Sequence, residues 1–290
     1  MNPLAAVPEL TAAAPRPAVP TPSLELTHPR PWLVVGTLLQ REFVRFIRQR
    51  HRVFGALGQP LIFLVLFGAG LHGSFRNPLV ATEHTYFEYF FPGTLILILL
   101  FTAIFATISI IEDRREGFLQ SVLVAPAPRW TIALGKMLGT GSLAVSQVIL
   151  FMIIAPLVGI PFDLLGWAGA VAVMAVIALA LTGLGFMLAW SMDSAQGYHA
   201  IMNVALIPMW LLSGAFFPAS GATGWMRAIM LGNPLTYGTA AVRHMLYLHN
   251  PAMTAGLPSL AVSLGVTALF AAAAFAGAVW ITGVHFKKHQ

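Results

Sequence analysis

The chain has 290 residues, of which 58% are hydrophobic and 9% charged, against about 25% charged in an ordinary soluble domain. With a mean hydropathy of +0.79, this excludes a disordered chain and most soluble folds, and the absence of cysteine excludes a disulfide scaffold, Cys-ligated zinc, an iron–sulfur cluster and a thiol nucleophile. The net charge of +6 reads as a membrane topology signal and not as a nucleic-acid footprint.

Residues 1–31 hold eight prolines among many alanines and lack a signal-peptide apolar core, so they read as a flexible, disordered cytoplasmic tail. From Trp32 to Arg52, Leu39, Phe43, Phe46 and Ile47 recur at helical spacing while Arg41, Arg45, Arg48 and Arg52 form a second stripe. That pattern predicts an amphipathic interfacial helix, apolar face in the acyl boundary and arginines on lipid phosphates, at about 1 kcal/mol per basic residue.

A helix crossing about 30 Å of hydrocarbon needs roughly 20 apolar residues. Six segments qualify: Val53 to Leu71, Phe90 to Ile111, Leu134 to Val158, Trp167 to Trp190, Tyr198 to Phe217 and Leu257 to Val284. Their apolar runs are continuous and not alternating, which argues for helices over a β-barrel. The first is weakened by Gly55, Gly58, Pro60, Gly68 and Gly70, while Pro156 and Pro208 predict kinks. An even count puts both termini on one side. Thirteen of the 16 Lys and Arg residues fall on that side and only Arg76, Arg227 and Arg243 on the other, so the positive-inside rule places both termini in the cytoplasm.

Between the second and third spans, Glu112, Asp113, Arg114, Arg115 and Glu116 give five consecutive charges, followed by Gly117, Phe118 and Leu119 and a short apolar stretch closed by Pro126 and Pro128. In a chain this poor in charge, such a cluster reads as a protein-docking element. On the outer side, residues 217–257 are too apolar for a free loop, contain a helical stretch from Tyr237 to Tyr247, and are expected to cap the spans or dip back into the membrane. The first outer loop, with Glu83, His84, Tyr86, Glu88 and Tyr89, reads as an interfacial aromatic segment.

Several chemistries lack their residues. The spans show no carboxylate, His or Lys at membrane depth, which speaks against ion coupling. Ser213-Gly214 and Ser220-Gly221 lack the surroundings of an intramembrane serine protease nucleophile, and His244/His249 and His285/His289 lack a third metal ligand. Gly135-Lys136 is no phosphate-binding loop, since no glycine precedes it by five residues and Met137 follows. Gly135 and Gly139 do form a Gly-x-x-x-Gly pair suited to close helix packing. No catalytic or metal site is expected, and energy must come from another subunit.

Four short runs stand out between Tyr89 and Gly139, Phe91 to Gly93, Arg115 to Leu119, Val124 to Pro126 and Leu134 to Lys136, with Asn233-Pro234-Leu235-Thr236-Tyr237 and Arg243 as a second signature. Through these residues the chain resembles the permease subunits of ABC type-2 exporters, the bacterial drug, lipid and polysaccharide export group. The resemblance covers roughly residues 32–286 and implies one all-α transmembrane domain over 32–290, in the bacterial inner membrane. It also implies a second permease copy, and a separate cytoplasmic ATPase that carries the ATP and Mg, with no cofactor on this chain. Its coupling helix maps to Glu112 through Leu123, with the interfacial helix as a second contact. The second and fifth spans would face the dimer axis, making Phe101, Phe105, Asn203, Met209 and Ser213 pathway residues for a drug-like or lipid substrate. A non-transporting membrane scaffold would share this topology but need no ATPase.

Overall fold

The computed structural model describes residues 31–48, 50–71, 86–119, 122 and 128–287. The expected tail, apart from Pro31, therefore lies outside the described residues, as do Glu83, His84 and most of the segment after Leu119. Among the described residues every regular element is helical. In chain order these are α1 (Pro31–Arg48), α2 (Arg50–Gly70), α3 (Tyr86–Thr107), α4 (Ser109–Arg115), α5 (Trp130–Met152), α6 (Leu164–Ser191), α7 (Ala195–Trp210), α8 (Gly224–Gly232), α9 (Pro234–Leu246) and α10 (Leu260–Lys287).

Among the described residues five stretches are long and apolar enough to cross a membrane: Tyr86–Arg115, Trp130–Met152, Leu164–Ser191, Ala195–Ala215 and Leu260–Gly283. The expected first span is not among them. Its helix forms, but the apolar part, Leu57–Gly70, covers only about 21 Å of the roughly 30 Å required. The third expected span also ends early, because Pro156 lies in a 3-10 turn, Ala155–Val158, beyond the end of α5.

α3 is the central post. Almost every side chain along it is buried, by α2, α5, α6 and α9 around it. Tyr86, Glu88 and Tyr89 are consequently buried in its first turn and do not form an interfacial loop. α6 packs on α10 and α5, and α10 leaves Leu264, Leu269 and Trp280 facing outward. Lipid gives packed helices little hydrophobic drive, so association depends on close fit. Small residues provide it: Gly183 meets Ala274 and Met137, Gly185 meets Thr107 and Tyr198, and a Cβ on Gly93 would lie 2.6 Å from that of Ala215.

The ends of the helices are set by local chemistry. Asp163 accepts from the Gly166 amide to cap α6, and Ser194 accepts from the Gly197 amide to cap α7. Pro208 marks a break in α7, which passes into a π turn, Leu211–Ala215, where Gly214 takes φ +76°. The segment between α7 and α10 is largely helical: α9, close to the expected Tyr237–Tyr247 helix, packs against α6, α10 and the π turn, while α8 leaves Trp225, Ile229 and Leu231 exposed.

Candidate functional site

At the end of the bundle where α3 leads into α4, three helices converge on buried charge. The Gly-x-x-x-Gly pair of α5 brings them together. A Cβ at Gly135 would lie 3.3 Å from Val35 Cα, and one at Gly139 would lie 3.2 Å from Leu39 Cα. The contact advances four residues on both helices, so α1 runs along the first turns of α5 with the backbones in close approach. Val35, Leu38 and Phe46 are buried by this packing, whereas Trp32, Leu33, Val44 and Ile47 stay exposed.

Glu42 is carried into the same interface. Lys136 bonds to both Glu42 and Asp113, and Ser109 donates to Glu42 at 3.0 Å. Lys136 and Glu42 are each 3% exposed and Asp113 is fully buried. Arg41 grips Asp113 with both terminal nitrogens, at 2.8 and 2.7 Å, while Arg45 bonds Asp113 at 2.8 Å and Glu112 at 2.7 Å. The Arg41 guanidinium also lies 3.7 Å above the Phe118 ring. Its pKa is raised above the ordinary arginine value, first by the Asp113 hydrogen bond. Lys136, Arg41 and Arg45 thus meet Glu42, Glu112 and Asp113, with Glu116 3.8 Å from Arg45 at the rim, and each buried charge of the cluster has a partner.

One expectation changes here. Arg41 and Arg45 face carboxylates of α4 and not lipid phosphates, because pairing with a desolvated Asp113 outweighs a screened contact with headgroups. Lys136, which the sequence reads as one of the cytoplasmic charges, lies in the first turns of α5 with Glu42 and Asp113 as its partners. Arg48 is exposed at the end of α1, and Arg52 belongs to α2.

The remaining expected coupling residues divide by face. Arg114 reaches the end of α6, bonding the Trp190 carbonyl, Met192 O at 3.4 Å and Asp193 at 3.1 Å, where a cation complements the helix C-terminus. Arg115 donates to the Asp193 carbonyl at 2.5 Å. Arg115 and Glu116 are exposed, whereas Asp113 and Leu119 are buried. The helix stops at Gly117, whose φ of +75° turns the chain before Phe118 and Leu119 resume a helical path.

A second constellation surrounds the broken end of α7 and employs the second sequence signature. Asn233 caps α9 by accepting from the Leu235 amide and donates through Nδ2 to Met209 O at 2.6 Å. Thr236 donates to the Met230 carbonyl at 2.5 Å and lies 3.3 Å from that of Leu212. Arg243, 2% exposed, donates to Gly214 O at 3.1 Å and Tyr89 O at 3.0 Å, and stacks 4.0 Å from the Tyr89 ring. Tyr89 and Tyr86 donate to Gly214 O and Phe216 O. The carbonyls that the π turn withdraws from the α7 ladder are therefore met by side chains of α9 and α3.

The expected pathway residues do not share one surface. Phe101 and Phe105 stack 6.1 Å apart on α3, with Phe101 buried and Phe105 edge-on to His199 of α7 at 5.7 Å. Asn203, one turn beyond His199, is exposed. Met209 is half-buried at the break, and Ser213 is buried, donating to Trp210 O at 2.6 Å with Thr239 as its other neighbour. Glu42, Lys136 and Asp193 were not singled out as site residues from the sequence. The available signal was a lone carboxylate in α1 and a lone lysine in the first turns of an apolar helix, each requiring a partner.

A multi-pass helical membrane protein with a charge-rich junction at one end and a broken helix whose carbonyls are met by neighbouring helices elsewhere defines the class. Residues 34–247 match the ABC-2 type transporter family, and the chain belongs to it. It is a membrane permease of an ABC transporter. It is similar to a protein of Cyanophora paradoxa named as a transport permease, ycf38, 28% identical over 218 residues and 73% of each chain. It is also similar to the daunorubicin resistance ABC transporter permease protein DrrB1 of Streptomyces coeruleorubidus, 25% identical over 237 residues, 81% of this chain and 82% of that one. A third relative, named as the multidrug ABC transporter permease YbhR of Escherichia coli, is 27% identical over 177 residues, 60% of this chain and 47% of its own.

Proposed function

We propose that this chain is the membrane-spanning half of an ATP-driven exporter, working as a pair of copies in the bacterial inner membrane, each copy driven by a separate cytoplasmic ATPase that binds ATP and Mg. The observation that carries the reading is the junction at α4. Lys136, Arg41 and Arg45 fasten its inner face to α1 and α5, and Arg114 fastens it to the end of α6. Arg115 and Glu116 remain outward. A push on that outer face reaches three helices through bonds already made.

In this reading α2 is the sixth crossing. Arg41 and Arg45 hold α1 at the α4 end of the bundle, while Phe67 meets Phe90 at 5.8 Å and Phe216 at 4.9 Å near the opposite end. Its 21 residues give about 31 Å, enough to run beside α3. Both termini are then cytoplasmic. The substrate class, hydrophobic or amphipathic and drug-like, rests on the likeness to the two relatives named for drug resistance and multidrug transport.

The test replaces Glu112, Arg115 and Glu116 together by Ala in the complex reconstituted with its ATPase. Substrate-stimulated ATP hydrolysis is lost while membrane insertion and basal hydrolysis persist. Stimulation at the native level removes the coupling assignment.

A further inference from the structure

Where α5 begins and α10 ends, a groove of about 750 Å³ opens in the outer surface, lined by Trp130, Leu134, Phe275, Ala276, Val279 and Trp280. Its lining is apolar, and Trp280 stands 70% exposed at its edge. The α4 end of the groove is framed differently. Trp32 of α1 meets Trp130 edge-on at 5.7 Å, and Arg129, the residue before Trp130, crosses to α10 by donating to Gly283 O at 3.2 Å. Along its length the groove is therefore apolar, then aromatic, then cationic.

We propose that this groove binds an anionic phospholipid, with one acyl chain between α5 and α10 and the headgroup phosphate at Arg129. The sequence of chemistries matches the ligand from tail to head. Indole rings favour the level of the headgroups, and the guanidinium fork pairs with phosphate, which an anionic lipid presents without the choline or ethanolamine cation that would repel Arg129. An extended polypeptide segment would bring backbone N–H and C=O groups that the apolar lining could not satisfy. A site here bears on function because Trp130 opens α5, the helix that carries Lys136, while Trp32 belongs to α1. A lipid seated in it braces the same two helices that hold α4.

The experiment uses the full chain in nanodiscs of phosphatidylcholine doped with phosphatidylglycerol brominated on its acyl chains, or with equally brominated phosphatidylcholine. The component of tryptophan fluorescence lost in Trp280→Phe reports on the groove. Brominated phosphatidylglycerol should quench that component with about a fivefold lower half-effect mole fraction than brominated phosphatidylcholine. Arg129→Gln should abolish the difference between the lipids, and Ala276→Leu should reduce quenching by both. Equal quenching by the two lipids in the native chain overturns the proposal, as does a preference that survives Arg129→Gln. Absence of quenching by either lipid points to a second protein copy over the groove, and quenching that rises on deletion of residues 1–30 points to that segment as occupant; either result also overturns it. Since this readout needs no ATPase, it fails or succeeds independently of the coupling reading.

Discussion

Lys136 lies almost wholly out of solvent, and its ammonium is tolerable there only because Glu42 and Asp113 flank it. Removing one member of such a group leaves uncompensated buried charge, at a cost of about 3–5 kcal/mol. Lys136→Met should therefore lower thermal stability in detergent steeply. Arg41→Ala should cost about 1 kcal/mol, since Arg41 is 29% exposed and Asp113 keeps Lys136 and Arg45. Melting curves of the two variants, with Glu42→Gln and Asp113→Asn added to Lys136→Met, give the check. If the buried carboxylates cause the loss, the added changes restore stability; otherwise it persists. The charges of Glu112–Glu116 were legible in the sequence because they are contiguous and the rest of the chain is poor in charge. Their partners were not legible: Glu42 is 94 residues from Lys136, and a single lysine at the start of a span is indistinguishable from a topology signal.

For the helices, legibility followed the length of the apolar run. α6 and α10 were placed within a few residues because the run alone fixes a buried or lipid-facing helix, and Pro208 correctly announced trouble in α7. The apolar pattern could not say that the break becomes a π turn, nor that Asn233, Thr236 and Arg243 answer its carbonyls, since that depends on which helix lies opposite. For the same reason the arginine stripe of α1 was read as facing lipid. Asn233 separates two roles. Asn233→Ala loses both the cap of α9, worth about 1 kcal/mol, and the donor to Met209 O, a further 1–3 kcal/mol or about that if the carbonyl stays buried. Asn233→Ser keeps a cap acceptor but is too short to reach the Met209 carbonyl, so it loses only that donor. Melting temperatures should fall in the order native, Ser, Ala; an Ala variant as stable as the native protein would mean that the Met209 carbonyl finds another donor.

At the scale of the whole molecule, one question of topology decides how force can enter. α3 begins beside the π turn and ends at α4, so the side on which α1 lies is fixed by whether α2 crosses. If α2 did not cross, α1 would sit at the opposite end of α3, and the bonds from Arg41 and Arg45 to Asp113 and Glu112 could not form. The chain has no cysteine, so single cysteines can be introduced without removing any. Gln40 on α1, Glu116 beyond α4 and Ala252 in the outer segment are all exposed. A membrane-impermeant maleimide applied to intact cells should label Ala252→Cys and neither Gln40→Cys nor Glu116→Cys, and permeabilised cells should label all three. Labelling of Gln40→Cys but not Glu116→Cys in intact cells would place α1 and α4 on opposite faces. The charge junction would then have no physical basis, and with it the proposed route by which a cytoplasmic ATPase would move α1, α5 and α6 together.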